Sequence, residues 1–400
     1  MSKRLFFIVF LFAAPLIQAQ QDFKADFEFL WSEIDSNYAY FERQGTDWDA
    51  VKEHYLPLTD TVSHPYYFTL FLETVLRELA DSHTHLRTNT DRSQRLLPSG
   101  TDLKVGFFGD RLVVLETRLG SEASKLLKPG DEILSVNGQP VSTAIAPFVG
   151  KFQDESKVDI HRDNAANILL AGDYRTLRYV DVNRGDKRFV VNLGVSPYPN
   201  NEQELISSKL LDGNIGYIKI ENSLGNTDLI AAFDEILDGF MTTEALILDL
   251  RNTPSGGDAI VGKPLLGRFT DTPKPYQTHN RPSEQKTWTE TVHPRGAYYG
   301  KPVYVLVNFW TGSMGEGIAI GLDAFGNATV VGTPMAGLLG ANYTVNLPHS
   351  NYGLNITFER LYHVDGTPRE DFFPEVKLST HDVKTQGDAW LEKALELIND

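Results

Sequence analysis

Four short apolar runs in the second half of the chain restrict its fold more than any other feature: "NIGYIKI", "ALILDL", "PVYVLVN" and "ATVVG". Helix-length stretches separate them, "TDLIAAFDEILDGF" before the second run and the segment after Ser313 before the fourth. Strands of nearly continuous apolar character are buried on both faces, and strands joined through helices pair in parallel. From about Gly213 onward the sequence therefore predicts a parallel or mixed α/β sheet covered by helices. Ligand chemistry in such a sheet belongs at the C-terminal ends of the strands. Two loops fall there, "RNTPSGGD" after "ALILDL" and "FWTGSMGEG" after "PVYVLVN".

The second loop puts a lone serine among glycines where a strand runs into a helix. Acyl transfer by a serine needs a base for the hydroxyl proton, a group to orient that base, and backbone donors for the oxyanion. Ser313 is the candidate nucleophile. The amide of Met314 and one from Gly256 or Gly257 are the candidate oxyanion donors, because glycines let a backbone approach a substrate closely. Ser255 is a weaker rival nucleophile, since it does not start a helix. Glu316, in the first turn of the helix, favours the dipole there without any catalytic duty.

The base must be histidine or lysine, and no lysine lies between Lys301 and Lys377. Of the ten histidines, His83 in "DSHTH" draws attention because Asp81, Ser82 and Thr84 are placed to hydrogen-bond and orient it. His85, two residues on, faces the same way on an extended chain. The pair is also the start of a zinc site and hence of a metal-dependent hydrolase, although no third ligand stands nearby. No cofactor is expected.

The rest of the chain divides by periodicity. Residues 1–20 carry a basic start, an apolar stretch from Leu5 to Ile17 and a small residue, Ala19, at a cleavage position: a secretory signal peptide, its apolar stretch short for a membrane span. No cysteine follows it, so lipid attachment through cysteine is excluded and the protein is expected in the periplasm or outside the cell, held by packing alone. Residues 21–95 read as a helical domain, with Phe23, Phe27, Leu30, Trp31 and Ile34 on one stripe and Phe68, Phe71, Leu72, Val75, Leu76 and Leu79 on another. That second stripe ends at "ELADSHTHLRTN". Residues 96–200 turn to short strands, with Gly109-Asp110 between two of them and a type I′ signal at Asn137-Gly138. The formal charge of −16 argues against nucleic acid and anionic membranes as partners.

Two resemblances follow from these residues. "LKPGDEILSVNGQPV" is similar to the core signature of PDZ domains, which implies a module that takes a peptide as an added strand, often by its C-terminus. "NIGYIKI", "ALILDLRNTPSGGD", "VYVLVNFWTGSMGEG" and "ATVVGTPMAG" resemble, in order and spacing, the tail-specific or C-terminal-processing serine peptidases, over nearly the whole mature chain. That resemblance implies a multidomain α/β protein: a helical domain, a PDZ-like β-domain and, over 201–400, a ClpP/crotonase-like catalytic domain that cleaves peptide bonds of protein or peptide substrates. Ser313 matches the family's nucleophile. Many members use a lysine in the loop that here reads "GTPMAGLLGAN", where Leu338 stands near the expected position. The chain thus looks like the other branch, typified by the tricorn protease core, with a tetrad of serine, histidine, serine and glutamate. Ser82 and His83 match its first part. In "VDGTPREDFFPEV" Glu370 is the choice for the glutamate, with Asp371 and Glu375 as rivals. The alternative within the same fold is a relative that has lost the chemistry and binds peptides or other ligands.

Overall fold

The strand Ala245–Asp249 is buried along its whole length, and its side chains alternate between two cores, Leu246 and Leu248 facing one and Ile247 the other. A computed structural model, which describes residues 22–195, 204–379, 382–384 and 387–400, places this strand inside a six-stranded sheet. The order is Val376–Lys377, Ala328–Gly332, Val303–Val307, Ala245–Asp249, Ile215–Ile220 and Ile206–Leu211, parallel except for the last pair. Helices Asp228–Gly239, Ala259–Leu266 and Met314–Phe325 bury their apolar stripes on one face. The C-terminal helix Ala389–Asn399 covers the other, against Ile215, Ile247, Leu306 and Val331. Both faces are dry, which is why the apolar runs show no polar alternation. The expected signal peptide at 1–20 lies outside the described residues.

The two loops at the strand ends are stitched together. Thr253 and Thr311 form a parallel bridge, the Thr253 amide donates to the Trp310 carbonyl at 3.1 Å, and the Gly312 amide donates to the Thr253 carbonyl at 3.2 Å. Their close packing brings residues 253–257 against 310–315.

A second sheet, beyond what the strand-and-helix alternation indicates, contains Lys274–Arg281, Lys286–Val292, Gly353–Tyr362 and Ala341–Asn346, with a two-residue strand His85–Leu86 at its edge. It joins the helical region to the rest. Phe27, Leu30, Ile34, Phe68, Leu72 and Val75 share one core with Leu339, Leu354 and Ile356, so the helices do not close a core of their own. Buried Asp26 accepts the amides of His349 and Ser350, each at 2.8 Å. Helical structure stops at Leu79, where Ala80 takes φ 46°, and the chain then pairs with Leu354 and Asn355. This turn delivers His83.

Residues 103–192 form an antiparallel sheet in the order Leu103–Phe108, Arg111–Thr117, Glu132–Val136, Tyr179–Arg184, Lys187–Asn192. The first two strands turn over Gly109 and Asp110, and Asn137 and Gly138 take φ 50° and 78° between paired Val136 and Gln139, the positive angles a type I′ turn requires. Helix Val158–Ala171 lies along the edge strand Leu103–Phe108 and fills its hydrogen-bonding side. Asn167 Oδ1 accepts the Val105 amide at 3.1 Å, Asn167 Nδ2 donates to the Val105 carbonyl at 3.0 Å, and Asp163 accepts the Phe107 amide at 2.9 Å. The domain is anchored on both site loops: Trp310 Nε1 donates to the Thr101 carbonyl and Arg118 to Asn252 Oδ1, each at 2.9 Å.

Candidate active site

Ser313 caps the helix Met314–Phe325 with φ 49° and ψ −107°, a conformation that costs a non-glycine residue about 1–3 kcal/mol. The carboxylate of Glu316 holds it there, accepting the Ser313 amide at 2.7 Å and the Gly337 amide at 2.9 Å. Glu316 is fully buried. Its role is therefore larger than a dipole contact: it ties the serine turn to the segment 336–340. Met314, first in the helix, has no intrahelical partner for its amide. Of the two glycines, Gly256 donates its amide to the Thr253 carbonyl at 3.0 Å, which leaves Gly257 as the second candidate oxyanion donor. Gly256 is needed for space: at φ 64° a Cβ there would lie 2.4 Å from Ser313 Cβ. Ser255 is engaged with Asn222, accepting from its Nδ2 at 3.1 Å.

His83 is buried, and its Nδ1 lies 2.7 Å from the Leu339 carbonyl. A carbonyl only accepts, so Nδ1 carries the proton and Nε2 is the basic nitrogen. Burial pushes the imidazole down to about 3, against a smaller upward pull from the Leu339 hydrogen bond, so the ring is neutral at ordinary pH. Asp81 positions the residue through the backbone: it accepts the His83 amide at 2.9 Å and the hydroxyls of Thr84 and Thr357, each at 2.8 Å.

The orienting contacts implied by the tetrad pattern are arranged differently. Ser82 donates to Asn164 Oδ1 at 3.3 Å, on the helix of the β-domain. Glu370 is buried beside Arg43, 3.9 Å away, and its Oε2 is without a hydrogen bond among the described residues; burial raises its pKa. Asp371 pairs with Arg43 at 2.6 Å. The group that fixes the His83 tautomer is instead the Leu339 carbonyl, a backbone atom that no reading of side-chain types singles out. His83 and His85 also part company, since His85 Nε2 lies 3.2 Å from Asn355 Nδ2.

The Ser313 turn and His83 are each tied to one short segment, through Gly337 and Leu339. Leu338 Cδ1 would lie 3.4 Å from a Cβ built on Gly312, which puts position 338 against the nucleophile loop, and Leu339 holds His83. No hydrogen bond joins Ser313 to His83 among the described residues. Arg369, 3% exposed, donates to the Leu338 and Gly340 carbonyls at 3.1 and 2.7 Å. Burial lifts the Glu316 carboxyl to about 7, with Arg369 opposing and Glu370 adding to the rise. A cleft of ≈ 270 Å³ opens over this segment, lined among others by Ser82, Lys104, Asn164, Phe309, Gly337 and Leu338. Lys104 reaches it from the β-domain, its Nζ 4.6 Å from the Phe309 ring centre, and burial lowers its pKa. The polar position in "LKVGFF" was the only sequence signal for it.

The geometry has counterparts among known proteins. Residues 214–375 match peptidase family S41, and residues 19–77 match the tricorn protease C1 domain. The carboxy-terminal processing protease CtpB of Bacillus subtilis (strain 168) is 27% identical over 243 residues, 58% of this chain and 45% of the relative, so the chain spans about half the length of that curated relative. Among solved structures, mature CPAF superposes with a TM-score of 0.64 at 18% identity, covering 94% of this chain and 98% of that one. The photosystem II D1 C-terminal processing protease gives 0.60 at 18% identity, covering 95% and 98%. The fold is thus a mixed α/β architecture with a helical N-terminal region, shared with these proteases. Over residues 214–375 the chain is similar to the S41 peptidases, and through them to the tail-specific proteases.

Proposed function

We propose that the protein is an exported serine endopeptidase acting on protein or peptide substrates. Ser313 attacks the scissile carbonyl, Nε2 of His83 takes the hydroxyl proton and returns it to the leaving amine, and the amides of Met314 and Gly257 receive the oxyanion. The observation that carries this reading is the strained, carboxylate-locked turn of Ser313 set on the same short segment whose carbonyl fixes a neutral histidine. Export rests on residues 1–20, and N-terminal sequencing of the mature protein checks it. The PDZ-like sheet supplies Lys104 to the cleft. A substrate tail adding to the edge strand Leu103–Phe108 would have to displace Asn167 and Asp163.

One observation favours an inert, ligand-binding relative: Ser82 is bonded to Asn164 and Glu370 lies beside Arg43, and neither is hydrogen-bonded to His83 among the described residues. A fluorophosphonate probe separates the two. Labelling of the wild type at Ser313, located by mass spectrometry, together with loss of unfolded-protein cleavage by several orders of magnitude in Ser313→Ala, supports the peptidase. An unlabelled, folded wild type sinks it.

A further inference from the structure

We propose that Arg369 is the positioning residue that couples the two halves of this site, aiming the Leu339 carbonyl at His83 while steadying the carboxylate that holds Ser313. The inference rests on the serine-peptidase reading and adds a residue to which neither motif nor spacing assigns a task.

One guanidinium nitrogen, Nη2, makes three approaches. It donates to the carbonyls of Leu338 and Gly340 and lies 3.9 Å from Glu316 Oε2. Residues 338 and 340 flank the one whose carbonyl accepts from His83 Nδ1 at 2.7 Å. The carbonyls of 338 and 340 point to Arg369 and that of 339 points to the imidazole, so pinning the outer two holds the middle one in that direction. The segment has little slack. Gly337 is tied to Glu316 by its amide, and at Gly340, with φ 44°, a Cβ would lie 1.7 Å from the Glu359 carbonyl oxygen. Carbonyl 339 can then hold the proton on Nδ1 and leave Nε2 basic, the duty a carboxylate or hydroxyl performs in side-chain triads. The same cation faces Glu316 across a buried space that also contains Glu370, itself beside Arg43 and Asp371. On the histidine side the charged or titratable neighbours are Arg369, His85 and Asp81. Arg369 is thus the cation common to both.

The test is the rate of fluorophosphonate labelling at Ser313 against pH in the full chain, for wild type, Arg369→Lys and Arg369→Gln, with thermal melting as the fold control. Lysine keeps the charge but not the fork, and labelling is expected to slow about 10–100-fold, as for a misplaced catalytic group. Glutamine removes the cation opposing Glu316, so the acid limb of the profile is expected to move up by about one pH unit. With a peptide substrate, kcat falls and KM holds. Folded variants that label within twofold of wild type, with an unmoved profile, overturn the assignment. If the glutamine variant does not fold, the lysine variant decides alone. A wild type that never labels at Ser313 removes the serine reading and Arg369's task together, whereas a labelled wild type with indifferent variants removes the task only.

Discussion

The two halves of the proposed site, Ser313 as nucleophile and His83 as base, are built by different means. Ser313 is set by its surroundings in sequence: a strand behind it, a helix ahead, a carboxylate three residues on, and a partner loop at the next strand end. His83 depends on contacts 256 and 259 residues away, from Leu339 and Asn342, and Asp81, which holds its amide, is bonded by Thr357 from 276 residues away. This second half exists only while the helical region stays docked on the strands 341–362, and that docking core is what places the base.

The strongest way to break this comparison is to remove the base. His83→Ala is expected to lower the cleavage rate of an unfolded protein by roughly 10³–10⁴-fold, since nucleophile and base act as a unit. Initial rates at constant substrate check it. Retained activity would mean that the base half lies elsewhere, with Lys104 in the cleft the next residue to change.

A smaller effect sharpens the nucleophile half. Glu316 sits at about 7, so its carboxyl is protonated below that pH and accepts two amides only above it. His83, at about 3, stays neutral throughout this range. Wild-type activity is therefore expected to rise with pH through about 7 on account of Glu316 alone. Glu316→Gln, whose amide group retains one acceptor, is expected to be about tenfold slower and to lose that limb between pH 5 and 8. A limb that persists unchanged assigns it to another group.

The smallest expected effects test whether the base half is complete as it stands. Ser82→Ala and Glu370→Gln should each leave kcat/KM within about threefold of wild type, because neither is hydrogen-bonded to the imidazole among the described residues. A loss of about 100-fold in either would show that the tetrad forms during turnover, with Ser82 released from Asn164 and Glu370 from Arg43.

Much of this was legible in the residues. The four apolar runs announced a sheet buried on both faces, and Asn137-Gly138 announced a turn in the separate antiparallel sheet. The serine loop and the glycine loop were placed at the strand ends, where the structure bridges them at Thr253 and Thr311. Glu316 was visible but undervalued, because a first-turn carboxylate looks the same in sequence whether it is solvated or fully buried. Asp81 was named as an orienter of His83, and it acts through the backbone amide rather than the ring. Arg369 and the Leu339 carbonyl left no signal: backbone carbonyls exist at every residue, and only their direction distinguishes one.

The sequence by itself determined the four central strands, the Asn137-Gly138 turn and the strand-to-helix junction at Ser313, since periodicity and local sterics act over a few residues. The tertiary structure alone decided which histidine nitrogen is protonated, what orients it, and that Ser82 and Glu370 lie apart from it. Those outcomes depend on contacts across hundreds of residues, where burial and the direction of a single carbonyl set the chemistry.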